Sequence, residues 1–167
     1  MRTRKLTSLA LFATLALAIY SAESLLPPIV PIPGVKLGLA NIITLLVLHL
    51  YDVKSAATVL LARVLLSALL FGQAMSLLYS LCGGLLCFIA MALCCRLLHR
   101  HYPELTSIVG GIFHNIGQLL AALLLTAVPG VLVYLPYLLL GGAVTGLFTG
   151  LCARFALRRL RWHRPPS

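Results

Sequence analysis

The chain has 167 residues, 61% of them hydrophobic and 10% charged, with a net charge of +10 and a mean hydropathy of +1.06. A soluble domain of this size must cover its surface with polar side chains, so the composition excludes one and leaves lipid as the solvent. The apolar stretches are long and lack the alternation of barrel strands, which predicts helices that satisfy their own backbone groups.

In chain order, the first apolar run predicts a helix over 6–22, after a basic start at Arg2, Arg4 and Lys5. The same profile fits a secretory leader with Ser21-Ala22-Glu23 as its cleavage region. The next segment needs a packing partner and the basic-residue count works best with this run retained, so it is read as a helix. Residues 26–34 carry four prolines and stay extended, because proline lacks a donor and restricts its own torsion. That segment is too apolar for a solvated linker and is expected to tuck into the mouth of the bundle.

A second helix is expected over 37–51, short for a span, with Lys36 snorkelling at its end. A third covers 55–71 and breaks at Gly72, and a fourth covers 76–98 with Gly83-Gly84 inside it. After a polar loop, a fifth covers 106–128, closed by Pro129-Gly130, and a sixth covers 131–157. The fold class expected is therefore an all-α membrane protein, one six-helix domain over 1–157 with a basic tail over 158–167.

Orientation follows from lysine and arginine. With the N-terminus inside, eleven of the thirteen basic residues fall on inner segments or the tail. The exceptions are Lys36 and Arg63, so both termini are expected in the cytoplasm. Basic residues lie between or beyond the apolar runs rather than along one amphipathic face, and no recognition motif accompanies them, which argues against nucleic acid. Five cysteines without a CxxC predict no disulfide framework. Cys94-Cys95 with His99 and His101 reads as a helix end rather than a metal centre, and no metal or cofactor is expected.

Two stripes of small residues stand out: Ala10, Thr14, Ala18 and Ala22 on the first helix, and Gly142, Gly146 and Gly150 on the sixth. Such stripes let helix backbones approach closely in lipid. The glycines are expected to pack inside the bundle; the Ala/Thr stripe suits an internal or an external partner helix.

Polar residues within spans point to function. Arg63 lies about 12 Å into its helix, where a guanidinium costs several kcal/mol unless paired or hydrated. His114, Asn115 and Gln118 lie at similar depth on the fifth helix and, by their spacing, on one face. None is anionic, so Arg63 awaits an anionic ligand or ties two helices together; both readings stay open. Glu23, Lys36 and Asn41 sit near the outer mouth and can pair across the Pro-rich segment, contact a substrate or simply be solvated. His49 reads as interfacial.

The run Pro33-Gly34-Val35-Lys36-Leu37-Gly38-Leu39-Ala40-Asn41-Ile42, then Arg63, Gly72, Gly83-Gly84 and His114-Asn115-Ile116-Gly117-Gln118, resembles a bacterial family. It is the Gx transporter family, also labelled heptaprenyl diphosphate synthase component I and grouped with the S components of energy-coupling-factor transporters. The likeness implies a multi-pass, six-helix capture subunit of the bacterial inner membrane, with a small-molecule substrate bound from outside. It also implies docking on a T subunit with paired ATPases through an alanine-x-x-x-alanine surface, which maps onto Ala10, Thr14 and Ala18. Thr14 departs from the pure alanine pattern. The candidate substrate residues are Glu23, Lys36, Asn41, Arg63, His114, Asn115 and Gln118.

The synthase label implies Mg²⁺ held by paired carboxylates. This chain has three carboxylates, Glu23, Asp52 and Glu104, widely separated, so it is not expected to be an enzyme. Two alternatives to transport are an accessory membrane subunit of prenyl diphosphate or quinone synthesis, partnered by a soluble synthase, and a membrane anchor for a flavin or electron-transfer assembly. Membrane lipid is a partner in every case.

Overall fold

A computed structural model of the chain describes residues 2–25, 36–71 and 74–162. The Pro-rich segment 26–34, the break expected at Gly72 and the last residues of the tail lie outside the described residues. The described residues form six α-helices and no strand: α1 (Arg2–Ser24), α2 (Asn41–Leu50), α3 (Val53–Phe71), α4 (Ala74–Leu97), α5 (Pro103–Thr126) and α6 (Leu135–Trp162).

Five of the helices are long and apolar enough to cross a membrane, which makes this a multi-pass membrane protein. The exception is α2. Its ten residues rise about 15 Å, half the thickness of a hydrocarbon core. The start expected at Leu37 gives way to Asn41 because Gly38 adopts φ +79°, a left-handed conformation open to glycine and incompatible with continuing a helix.

Local chemistry sets the other boundaries. α5 opens with Pro103 in its first turn and Glu104 beside it, where a missing donor costs nothing and a negative charge meets the helix dipole. It closes at Ala127, which turns left-handed and donates its N–H to Leu123 O, a capping geometry. A 3-10 turn over Pro129–Tyr134 then precedes α6, so the sixth helix begins later than 131. At its other end α6 runs on through Arg158 to Trp162, into the segment expected as tail, because nothing in that run breaks a helix.

The bundle is tightest across α4, α5 and α6. Gly142, Gly146 and Gly150 all face α5. A Cβ on Gly146 would lie 2.6 Å from Ser107 O, and one on Gly150 would lie 2.6 Å from Glu104 Cα. The backbones therefore meet where a side chain would hold them apart, as the glycine stripe predicts. α1, α2 and α3 make the other half, with α2 threaded through the centre: Leu45, Val47 and Leu48 have no exposed surface. The apolar core joins Ala13 and Ala16 of α1 to Ile43 and Leu46 of α2, Val59 of α3, Met91 of α4 and Ala153 of α6. His49 belongs to this interior rather than to an interface. It is 4% exposed, engages Leu45 O at 3.0 Å through Nδ1, and lies beside Cys95.

One end of the bundle is basic. Lys5 Nζ lies 2.7 Å from Asp52 Oδ2, Arg100 donates to Tyr51 O at 3.1 Å, and Arg154 Nη1 lies 2.7 Å from Glu104 Oε1. These contacts gather the start of α1, the α2–α3 and α4–α5 connections and the end of α6. Asp52 also caps α3 by accepting the Ser55 N–H at 2.8 Å. The Lys5 ammonium and the Ser55 N–H hold its carboxyl at about 2, below the usual aspartate value. A depressed carboxylate stabilises the fold above its unfolded pKa and loses that contribution as pH falls through the folded value. Acid unfolding followed by circular dichroism should therefore show a component of destabilisation between about pH 4 and pH 2. Asp52→Asn, which keeps the cap and removes the charge, should flatten that component.

Candidate functional site

At the end opposite the basic one, side chains of α1, α3, α4 and α5 converge on the residues that lead into α2. Glu23, one turn beyond Tyr20 on α1, is 5% exposed. Its carboxylate accepts the Gly38 N–H at 2.6 Å and the Leu39 N–H at 3.0 Å. Consecutive N–H groups beside a left-handed residue form a concavity that suits an anion, and here the chain's own carboxylate fills it. Lys36 does not pair with Glu23. Its ammonium donates to Ser24 Oγ at 2.6 Å and lies 3.5 Å from the centre of the Tyr20 ring, while its backbone N–H donates to Gln118 Oε1 at 3.2 Å.

Arg63 is 3% exposed, about 15 Å along α3 from Val53. Its Cζ lies 5.9 Å from the Tyr20 ring centre and it is within electrostatic reach of Glu23. Gly84 of α4 passes beside it: a Cβ there would sit at ordinary contact, 3.5 Å, from Arg63 Nη2 and more tightly, at 3.1 Å, against Leu60 Cδ1. The neighbouring Gly83 faces α5, where a Cβ would come within 2.9 Å of both His114 and Gln118. Gly83 thus lets α4 approach the polar face of α5, while Gly84 lies beside Leu60 and Arg63 of α3. Among the described residues, five of the seven buried side-chain atoms without a hydrogen-bond partner lie here, Arg63 Nε and Nη2, His114 Nδ1 and both amide atoms of Asn41; the other two are Asn115 Oδ1 and Glu104 Oε2. Buried polar groups are normally satisfied, so this concentration of unmet donors and acceptors distinguishes the region.

Asn41 lines a small cavity between α2, α5 and α6 with Ser107, Thr145 and Thr149, about 10 Å³ in volume. That is room for about one water, and a water there can satisfy the Asn41 amide. Ser107 and Thr149 share a hydrogen bond of 2.9 Å across the α5–α6 contact.

Of the candidate residues, Glu23, Lys36, Asn41, Arg63, His114 and Gln118 are brought to this one region. Asn115 is not. Its Nδ2 donates to Leu138 O of α6 at 2.6 Å, which turns it away from His114 and Gln118. Adjacent residues on a helix point about 100° apart, so the 114/118 pair shares a direction that 115 does not. Tyr20 and Ser76 are the additions. The Tyr20 hydroxyl shares a hydrogen bond of 2.7 Å with Ser76 Oγ, and its ring underlies both cations. The three-residue spacing of Tyr20 and Glu23 on one helix face carries that information in the sequence, but an aromatic ending an apolar run reads more readily as an interfacial anchor.

The Ala10, Thr14, Ala18 and Ala22 stripe is exposed along its whole length. The Thr14 hydroxyl donates to Ala10 O at 3.0 Å, so threonine presents its methyl and keeps the stripe smooth.

Residues 12–156 match the family described as heptaprenyl diphosphate synthase component I. No curated protein and no solved structure matches the chain. With most of its length inside the match, the chain belongs to the heptaprenyl diphosphate synthase component I family.

Proposed function

We propose that this member of the family is a non-catalytic capture subunit of the bacterial inner membrane that binds a small anionic molecule at the Arg63 end of its bundle. Both termini face the cytoplasm, since the basic end carries the lysine and arginine excess. The short α2 counts as a crossing beside the five long helices, giving six passes. The carrying observation is the Arg63 guanidinium, which lacks partners for Nε and Nη2 in a chain whose three carboxylates are engaged elsewhere. Glu23 holds the Gly38 and Leu39 amides, Asp52 holds Lys5 and Glu104 holds Arg154. An incoming carboxylate or phosphate supplies what the chain lacks, by bidentate pairing with the guanidinium. His114, Gln118 and Lys36 stand around the same position, and the Tyr20 ring backs it.

The exposed small-residue stripe of α1 is the face for an energy-supplying membrane subunit with its ATPases, as in S components. The family's description favours a second reading, an accessory subunit working with a soluble prenyl synthase. The dispersed carboxylates support a non-catalytic role there too, because Mg²⁺-assisted diphosphate ionisation calls for oxygen ligands gathered on one ion.

Native mass spectrometry of gently extracted full-length protein separates the readings. Capture predicts a retained anionic small molecule, and predicts that Ala10→Leu with Ala18→Leu releases a co-purifying membrane subunit while the molecule stays bound. A soluble prenyl synthase in the complex, with no small-molecule adduct, decides for the second reading.

A further inference from the structure

The basic end, apart from the Arg63 region, carries a groove of its own. An open groove of about 560 Å³ lies between the end of α4 and the α2–α3 junction, lined by Leu48, Val53, Ala92, Leu93, Arg96 and Arg100. Its volume falls in the range of small-molecule sites. The floor is apolar, and it is continuous with the exposed Ile89, Leu93 and Leu97 row along α4. One rim is cationic.

The backbone directs that rim. His99 and Arg100 adopt φ +48° and +60°, a left-handed pair of non-glycine residues that costs about 1–3 kcal/mol each. The turn carries Arg100 back over the end of α4, where Nη1 donates to Tyr51 O at 3.1 Å. Arg96 alone would serve the dipole at the α4 C-terminus; the strained turn adds a second guanidinium on the same groove. Neither has a carboxylate to meet. Asp52 and Glu104 already hold Lys5 and Arg154 at this end, and the residues outside the described ones include no aspartate or glutamate.

We infer that this groove is a specific site for an anionic phospholipid of the bilayer, its phosphate on Arg96 and Arg100 and one hydrocarbon chain along the exposed Leu93 and Val53. The apolar floor requires a chain, and the paired guanidiniums require a net negative head. A zwitterionic lipid of the same chains offers the first without the second.

The test uses the full chain in a neutral detergent, titrated with phosphatidylglycerol or phosphatidylcholine of identical acyl chains and read by native mass spectrometry, with thermal unfolding as the check on folding. The wild type should retain phosphatidylglycerol about thirtyfold more tightly, the scale expected of two basic residues at a membrane surface. Arg96→Gln with Arg100→Gln should erase that preference, and Arg96→Lys with Arg100→Lys should keep most of it. Leu93→Trp, which fills the floor, should weaken both lipids alike. Equal retention of the two lipids by the wild type overturns the proposal, as does a preference that survives the double glutamine variant. Displacement of phosphatidylglycerol by millimolar inorganic phosphate overturns the part played by the chain. If the glutamine pair does not fold, the Leu93→Trp and lysine variants decide in its place.

Discussion

Arg63→Met is expected to abolish retention of the captured anion and, in the same protein, to raise the unfolding midpoint. Both effects come from one fact: the guanidinium is buried at 3% exposure with Nε and Nη2 unpartnered. A buried guanidinium with unmet donors is destabilising, even with Glu23 within electrostatic reach. Replacing buried ions with apolar groups of similar volume is often stabilising by about 1–4 kcal/mol, and methionine adapts to the space. A ligand paired to that guanidinium loses about 3–5 kcal/mol when its partner goes, a drop of about 10²- to 10³-fold in affinity. A purely structural Arg63 gives the opposite sign on stability. If Arg63 tied α3 to its neighbours, removing it would lower the midpoint. Thermal unfolding in detergent and native mass spectrometry on the same preparation measure both; unchanged values in each would remove the ligand and packing roles together. Arg63→Lys keeps the charge but not the planar fork, so it should bind between wild type and Met.

Much of this was legible in the residues, for reasons that differ by feature. Long apolar runs without barrel alternation read as helices in lipid, so six spans are expected from composition and length, and five of the helices are long and apolar enough to cross. The Gly142, Gly146 and Gly150 stripe announced a backbone-to-backbone contact because four-residue spacing fixes a face. What the residues did not show is where that face points in the other stripe. Ala10, Thr14, Ala18 and Ala22 repeat as regularly, and their exposure is settled by α1 packing on α2 and α3 through Ala13, Ala16 and Tyr20 instead.

The site was legible as a set of residue types at similar depth and illegible as a set of directions. Arg63, His114 and Gln118 are conspicuous because polar groups are rare in spans. Asn115 joins them by its three-residue spacing to Gln118, and only the position of α6 shows that it serves Leu138 O. Glu23 is the clearest case. Sequence spacing offers Lys36 as its partner, yet its oxygens are taken by the backbone of Gly38 and Leu39, because the left-handed turn that stops α2 from starting at Leu37 leaves two amides in need of an acceptor. The break in the helix and the burial of the carboxylate explain each other.

That joint gives the second large effect. Glu23→Gln is expected to destabilise the fold by about 2 kcal/mol or more, since it replaces two charge-assisted hydrogen bonds with one neutral one and turns an amide NH₂ toward a backbone donor. Hydrogen exchange should then quicken at residues 36–40 before it does in α3 to α6, because the Glu23 contacts are what hold the entry to α2 against α1. The effect on binding tells a positioning residue from a contact. With both oxygens committed to Gly38 and Leu39, Glu23 acts through the backbone, so the glutamine variant should release an anionic ligand faster while its preference for anions, set by Arg63, persists. A Glu23 that touched the ligand would repel it, and neutralising it would tighten the binding of an anion. Slower dissociation in Glu23→Gln would therefore place the carboxylate inside the binding site, and would mean that the α2 entry is held by Lys36 and Gln118 instead.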